Sequence, residues 1–154
     1  LSPTNAFMTL TGIETLPLRM DRHVANAEAV AVFLEDQPAV AWVSYSALRS
    51  SPSLKNKNLY FPIGCGSVFT FGLKRGYEAS TRLVEGCELL SHLANVGDTR
   101  SLILHPASTT HRQLTEEQQI AAGAGPDVVR ISVGIETVED IIRDLDQALR
   151  VAGN

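Results

Sequence analysis

The chain has little cysteine, few aromatics, scarce lysine and no long apolar run, and each shortage excludes a class of protein. Its 154 residues contain two cysteines, Cys65 and Cys87. That is too few for a disulfide framework, and their spacing suits no metal, so two reduced thiols are expected rather than a bridge. No apolar stretch approaches the ~20 residues that a spanning helix requires. The N-terminus has neither a basic region nor a signal-type apolar segment. Asp and Glu number 17 against 13 scattered Lys and Arg, a net charge of −4. Nucleic-acid binding needs a basic face, so neither nucleic acid nor membrane is expected as a partner. A cytoplasmic domain is the expectation. The four histidines, His23, His92, His105 and His111, lack close ligand spacing, and no zinc site is expected.

Apolar residues make up 44% of the chain, enough for one domain to bury a core without metals or disulfides. Ser2-Pro3 is a helix start, and Phe7, Leu10, Ile13 and Leu16 then recur at helical spacing. Pro17 is expected to end or kink that helix, with a second stretch through Val24, Ala27, Val30, Ala31 and Leu34. Strands are expected at Val40–Tyr45, Ser67–Leu73, Leu89–Leu93, Ser101–Leu104 and Val128–Val133. Between them lie helical segments at Leu54–Tyr60 and Tyr77–Gly86. Val68 and Thr70 should face one side of their strand, and Phe69 and Phe71 the other. Thr115 to Gln118 reads as a capping box, and Thr137 as the cap of a last helix with Val138, Ile141, Ile142, Leu145 and Leu149 as its buried stripe. The fold class expected is α/β in the α+β sense. A small mixed, mostly antiparallel sheet carries helices on one side, preceded by a long kinked helix, because several connections are too short for parallel crossovers.

Arg130 stands in an apolar strand, where an unpaired guanidinium is costly and an anionic partner is needed. Its planar fork of donors matches a carboxylate. The partner could be internal, Glu136 or Asp127, or it could be a ligand. Asn95 and Asp98 read as turn residues, and Thr109, Thr110 and His111 as a hydroxyl-rich turn without a nucleophile arrangement. Gly64-Cys-Gly66 lacks the helix start and lysine of a phosphate loop. Lys55, Lys57 and Lys74 are the only lysines, and all sit in polar, surface-type segments. No catalytic residue is assigned in this chain.

Ser101–His111 and Val129-Arg-Ile-Ser-Val-Gly-Ile-Glu136, with Ile13–His23, Gly66–Gly72 and Ser91–Asp98, resemble the C-terminal part of the pyridoxal-phosphate enzymes of cysteine and methionine metabolism, most closely the O-acetylhomoserine sulfhydrylases. The resemblance covers essentially the whole chain. It implies that Arg130 binds the α-carboxylate of a small amino-acid substrate and that Thr110 lies near that carboxylate. It also implies that the loop of Asn95 lies beside cofactor and substrate. The related cystathionine synthases and lyases typically carry serine where Asn95 stands, and the sulfhydrylases carry asparagine.

Residues 1–36 would then be a long kinked helix linking to a missing cofactor domain, and residues 37–154 a small C-terminal, substrate-side domain. The implied cofactor is pyridoxal phosphate, held by a lysine outside this chain. The implied assembly is a homotetramer when complete. The implied reaction replaces the acetoxy group of O-acetylhomoserine with sulfide or a thiol, and the chain alone is expected to be inactive. The alternatives are a free-standing carboxylate-binding or docking module, or another trans-sulfuration enzyme such as a cystathionine synthase or lyase or a methionine γ-lyase. A self-sufficient module should cover Phe7, Leu10 and Ile13, whereas a fragment should expose them.

Overall fold

Ser2 and Pro3 start the first helix as their chemistry dictates. In the computed structural model, which describes residues 1–153, α1 spans Pro3–Glu14 and is capped by Ser2, whose hydroxyl accepts the Asn5 N–H at 3.2 Å. Thr15 breaks the rod, and α2 (Leu16–Glu35) resumes at once. The first helix ends where Pro17 was expected to end or kink it, with the break falling two residues earlier, at Thr15. Pro17 itself lies in the first turn of α2, where its missing N–H removes no helical bond. α1 buries no residue. α2 buries His23, Asn26, Ala27, Val30, Ala31 and Leu34 along one stripe.

The remaining elements are β1 (Val40–Ser44), α3 (Leu54–Tyr60), β2 (Val68–Leu73), α4 (Gly76–Gly86), β3 (Ser91–His92), β4 (Leu102–Leu104), α5 (Glu116–Ala121), β5 (Val128–Ser132) and α6 (Val138–Gly153). A 3₁₀ turn, Pro106–Ser108, follows β4. The strands form one sheet in the order β1-β2-β5-β4-β3, antiparallel except for the parallel edge pair β4–β3. β3 is shorter than the Leu89–Leu93 expected. Only Ser91 and His92 pair with β4, because the chain turns away at the loop containing Asn95.

Strand alternation decides the two faces of the sheet. Phe69, Phe71, Ile103, Val129 and Ile131 point into the main core, which Val30 and Leu34 of α2, Leu83 of α4, and Ile141, Leu145 and Leu149 of α6 complete. Each such side chain contributes roughly 1.5–3 kcal/mol on burial. Thr115 and Gln118 form the reciprocal capping box that their spacing predicts.

The turn leaving α4 is held by one carboxylate. Asp144, on the inner face of α6, accepts the backbone N–H groups of Glu88 at 2.8 Å, Leu89 at 2.9 Å and Leu90 at 3.0 Å, and the Gln147 amide at 3.0 Å. Burial opposes its ionisation, but those four donors outweigh burial and hold the carboxyl below its ordinary range.

Candidate substrate-binding site

The even-numbered residues of β2 and β5 form the other face of the sheet. One row across it reads Ser44, Thr70, Arg130, Leu104, from β1 through β2 and β5 to β4. Arg130 is half-buried there, in the middle of its strand, between Val129 and Ile131, which are fully buried on the opposite side. Both internal anions that could have paired with it are engaged elsewhere. Asp127 accepts the Trp42 indole N–H at 2.9 Å. Glu136 accepts the Ser101 backbone N–H at 2.6 Å and its hydroxyl at 2.9 Å. Among the described residues the ion pairs are Arg100–Asp98, Arg143–Asp140 and Arg150–Asp146, and no acceptor lies on the Arg130 guanidinium. Its donors are therefore available to an external anion.

The sheet's directions bring the other candidate residues to the same end. β3 and β4 run parallel, and β5 runs against β4 with Arg130 opposite Leu104, the last residue of β4. The loop leaving β3 carries Asn95, and the turn leaving β4 carries Thr110. Asn95 is exposed, and its side-chain oxygen accepts the Val96 N–H at 2.8 Å. The same loop is stiffened by Asp98, whose carboxyl is held below its usual range by hydrogen bonds from Arg100. Thr110 is exposed and hydrogen-bonded to His111 Nδ1 at 2.8 Å. Gln119 braces this turn by donating to the carbonyls of Ala107 and His111 at 3.2 and 3.0 Å.

Sequence reasoning missed the residue that locks this end of the sheet. His105 is completely buried. Its Nε2 lies 2.9 Å from the Pro126 carbonyl and its Nδ1 3.0 Å from the Ser108 hydroxyl, while Tyr77 packs edge-on at 4.8 Å. The carbonyl acceptor requires Nε2 to carry the hydrogen, so the ring bridges the turn after β4 to the segment that opens β5. Burial pushes its pKa below the ordinary histidine value, which keeps it neutral. No spacing pattern marks such a residue, because its main partners are one distant backbone carbonyl and a local hydroxyl.

Cys65 and Cys87 are free. Burial first, and then the charge of Asp144, pushes the Cys87 thiol up to about 12, so it is no nucleophile at neutral pH. A cleft of about 660 Å³ between α2 and α3 is lined by Glu28, Glu35, Tyr45, Arg49 and Lys57, and by none of the candidate residues above. Among the described residues no group of three His, Cys, Asp or Glu could hold a metal ion, and no helix is long and apolar enough to cross a membrane.

The family model for Cys/Met metabolism PLP-dependent enzymes matches residues 1–150. The chain belongs to that family. It is 52% identical over 149 residues to O-acetyl-L-homoserine sulfhydrylase 1 of Thermus thermophilus, covering 97% of this chain and 35% of that protein. It is 50% identical over 151 residues to the homocysteine synthase of Schizosaccharomyces pombe, covering 98% of this chain and 35% of that protein. Among solved structures, it superposes on a Campylobacter jejuni protein named as an O-acetylhomoserine (thiol)-lyase with a TM-score of 0.88 at 40% identity, covering 97% of this chain and 36% of the other. That crystal structure contains N′-pyridoxyl-lysine-5′-monophosphate, a lysine joined to the cofactor. The present chain thus spans about 35% of the length of the curated relatives it matches.

The family's cofactor does not fit the lysines present here. Lys55 lies exposed and Lys57 half-buried on the short helix α3, and the Lys74 ammonium donates to the Pro38 carbonyl at 2.6 Å on the surface. None stands in a closed pocket beside Arg130, so no chemical step of the cofactor is assigned to these residues.

Proposed function

We propose that the chain is the C-terminal, substrate-orienting part of a PLP-dependent O-acetylhomoserine sulfhydrylase, in which sulfide or a thiol replaces acetate at the γ-carbon to give homocysteine or methionine. Arg130 clamps the α-carboxylate of the amino-acid substrate, Thr110 lies near that carboxylate, and the Asn95 loop closes one wall. The observation that carries this is the Arg130 guanidinium, which has no acceptor among the described residues while Asp127 and Glu136 bond to other groups. The family membership and the two named relatives support the reaction class.

Residues 1–36 form the connection to a cofactor domain, and residues 37–154 the substrate-side domain. Support comes from α1, where Phe7, Leu10 and Ile13 are 71%, 60% and 54% exposed, far more apolar surface than a self-sufficient helix leaves uncovered. That exposure also disfavours a free-standing module. The complete enzyme is a cytoplasmic homotetramer, and this chain alone is inactive because it lacks the Schiff-base lysine. The intact mass of the protein in its source cells, with an assay of the purified 154-residue chain, tests this. A much longer native chain and no turnover by the isolated one are expected. Sulfhydrylase activity from a verified 154-residue chain would overturn it.

A further inference from the structure

Two buried polar residues of α2 take no part in the apolar packing around them. His23 and Asn26 are 1% and 2% exposed and stand at i and i+3, on one face of the helix. Both reach the segment that leaves β5. His23 Nδ1 lies 2.6 Å from the Val133 carbonyl oxygen, which requires the hydrogen on Nδ1. Asn26 donates to the Gly134 carbonyl at 3.0 Å and the Glu136 carbonyl at 2.8 Å. One helix thus satisfies three carbonyls of a single turn.

The same turn is tied on two further sides. Gly134 N–H donates to the Ser101 hydroxyl at 2.9 Å, and that hydroxyl donates to Glu136 at 2.9 Å. Val133 N–H donates to the Ser67 carbonyl at 2.9 Å, at the entrance to β2. Gly134 leaves no slack. A Cβ there would stand 2.5 Å from backbone atoms of Arg100 and Ser101.

Burying a histidine and an asparagine is expensive where neighbouring positions carry Ala27, Val30 and Ala31, and His23 Nε2 stays buried with no partner among the described residues. The strand so fastened is the one carrying Arg130. A guanidinium that meets both oxygens of a carboxylate must be placed to a fraction of an ångström. We infer that His23 and Asn26 are positioning residues for Arg130. They latch the exit of β5 to α2 and so set where the guanidinium meets the substrate carboxylate. The inference rests on the carboxylate-binding role proposed for Arg130.

Steady-state kinetics of the complete enzyme, with the amino-acid ester and sulfide varied separately, test it. Asn26→Ala is expected to raise KM for the ester about tenfold and leave KM for sulfide unchanged. His23→Ala should do the same, and His23→Asn should recover, since an amide nitrogen then stands near the place of Nδ1. The double variant Asn26→Ala with Arg130→Ala should be no worse than Arg130→Ala alone. Where Asn26→Ala yields no folded protein, Asn26→Asp keeps the volume, loses the donors and carries the same expectation. A lowered Tm with an unchanged ester KM would overturn the latch while leaving Arg130 in its role, provided that Arg130→Ala itself raises KM. An unchanged KM in Arg130→Ala would overturn the carboxylate role, and the latch with it.

Discussion

Asp144 and Arg130 are charged side chains set into the same folded body, and their surroundings are opposite. Asp144, beneath the turn that leaves α4, receives four hydrogen bonds from within the chain. Arg130, on the far face of the sheet, donates from its guanidinium to none of the described residues, although Asp127 and Glu136 lie on the same stretch of chain. A charge that serves the fold is satisfied by the fold, because an unsatisfied group opposes folding. A charge left without partners on a half-buried face is suited to something that arrives later. With the role proposed for Arg130, the two residues separate the electrostatics of folding from those of binding inside one small domain.

The contrast breaks most visibly in stability. Asp144→Ala leaves three backbone N–H groups unpaired and should lower the unfolding free energy of the chain by about 3–4 kcal/mol, read from the urea midpoint. Arg130→Ala should change it by less than about 1 kcal/mol. Equal losses would mean that Arg130 is structural too.

A titration sharpens the same contrast at intermediate size. His105 has its pKa lowered by burial, so the unfolded chain takes up the proton first as pH falls. Its stabilisation is complete above the unfolded histidine value of about 6.5 and is lost progressively as pH drops toward the folded value. Asp144 is also lowered, so its contribution is complete above the unfolded carboxylate value of about 3.9 and disappears as pH falls through the folded one. Stability measured against pH should decline in two stages, and Asp144→Ala should shrink the more acidic stage and leave the other unchanged.

The smallest effect belongs to α1. Phe7→Ser combined with Leu10→Ser should move stability by no more than about 0.5 kcal/mol, since neither side chain is buried. Light scattering of the isolated chain should nevertheless show reduced self-association. A large loss of stability would place α1 inside the folded body instead of on its outside.

Periodicity made most of the architecture legible. The alternation of Val68, Phe69, Thr70 and Phe71 gave β2 its two faces, and the spacing of Ile141, Leu145 and Leu149 gave α6 its buried stripe. Ser2-Pro3 and Thr115–Gln118 marked helix starts because capping is local chemistry. Pro17 was harder to interpret, since proline both ends one helix and suits the first turn of the next. Arg130 stood out because a cation in an apolar strand demands an account. His23, Asn26, His105 and Asp144 did not, because their partners are backbone groups far away in sequence, and no local pattern encodes them. Glu136 and Asp127 also had to be located before Arg130 could be seen as free.

The role proposed for Arg130 is to receive the α-carboxylate of the substrate. The most direct measurement compares kcat/KM of the complete enzyme for O-acetylhomoserine with that for its α-carboxamide, in the parent enzyme and in Arg130→Ala. The parent should prefer the carboxylate by about a hundredfold or more, and Arg130→Ala should lose nearly all of that preference. A preference that survives the substitution intact would contradict that role.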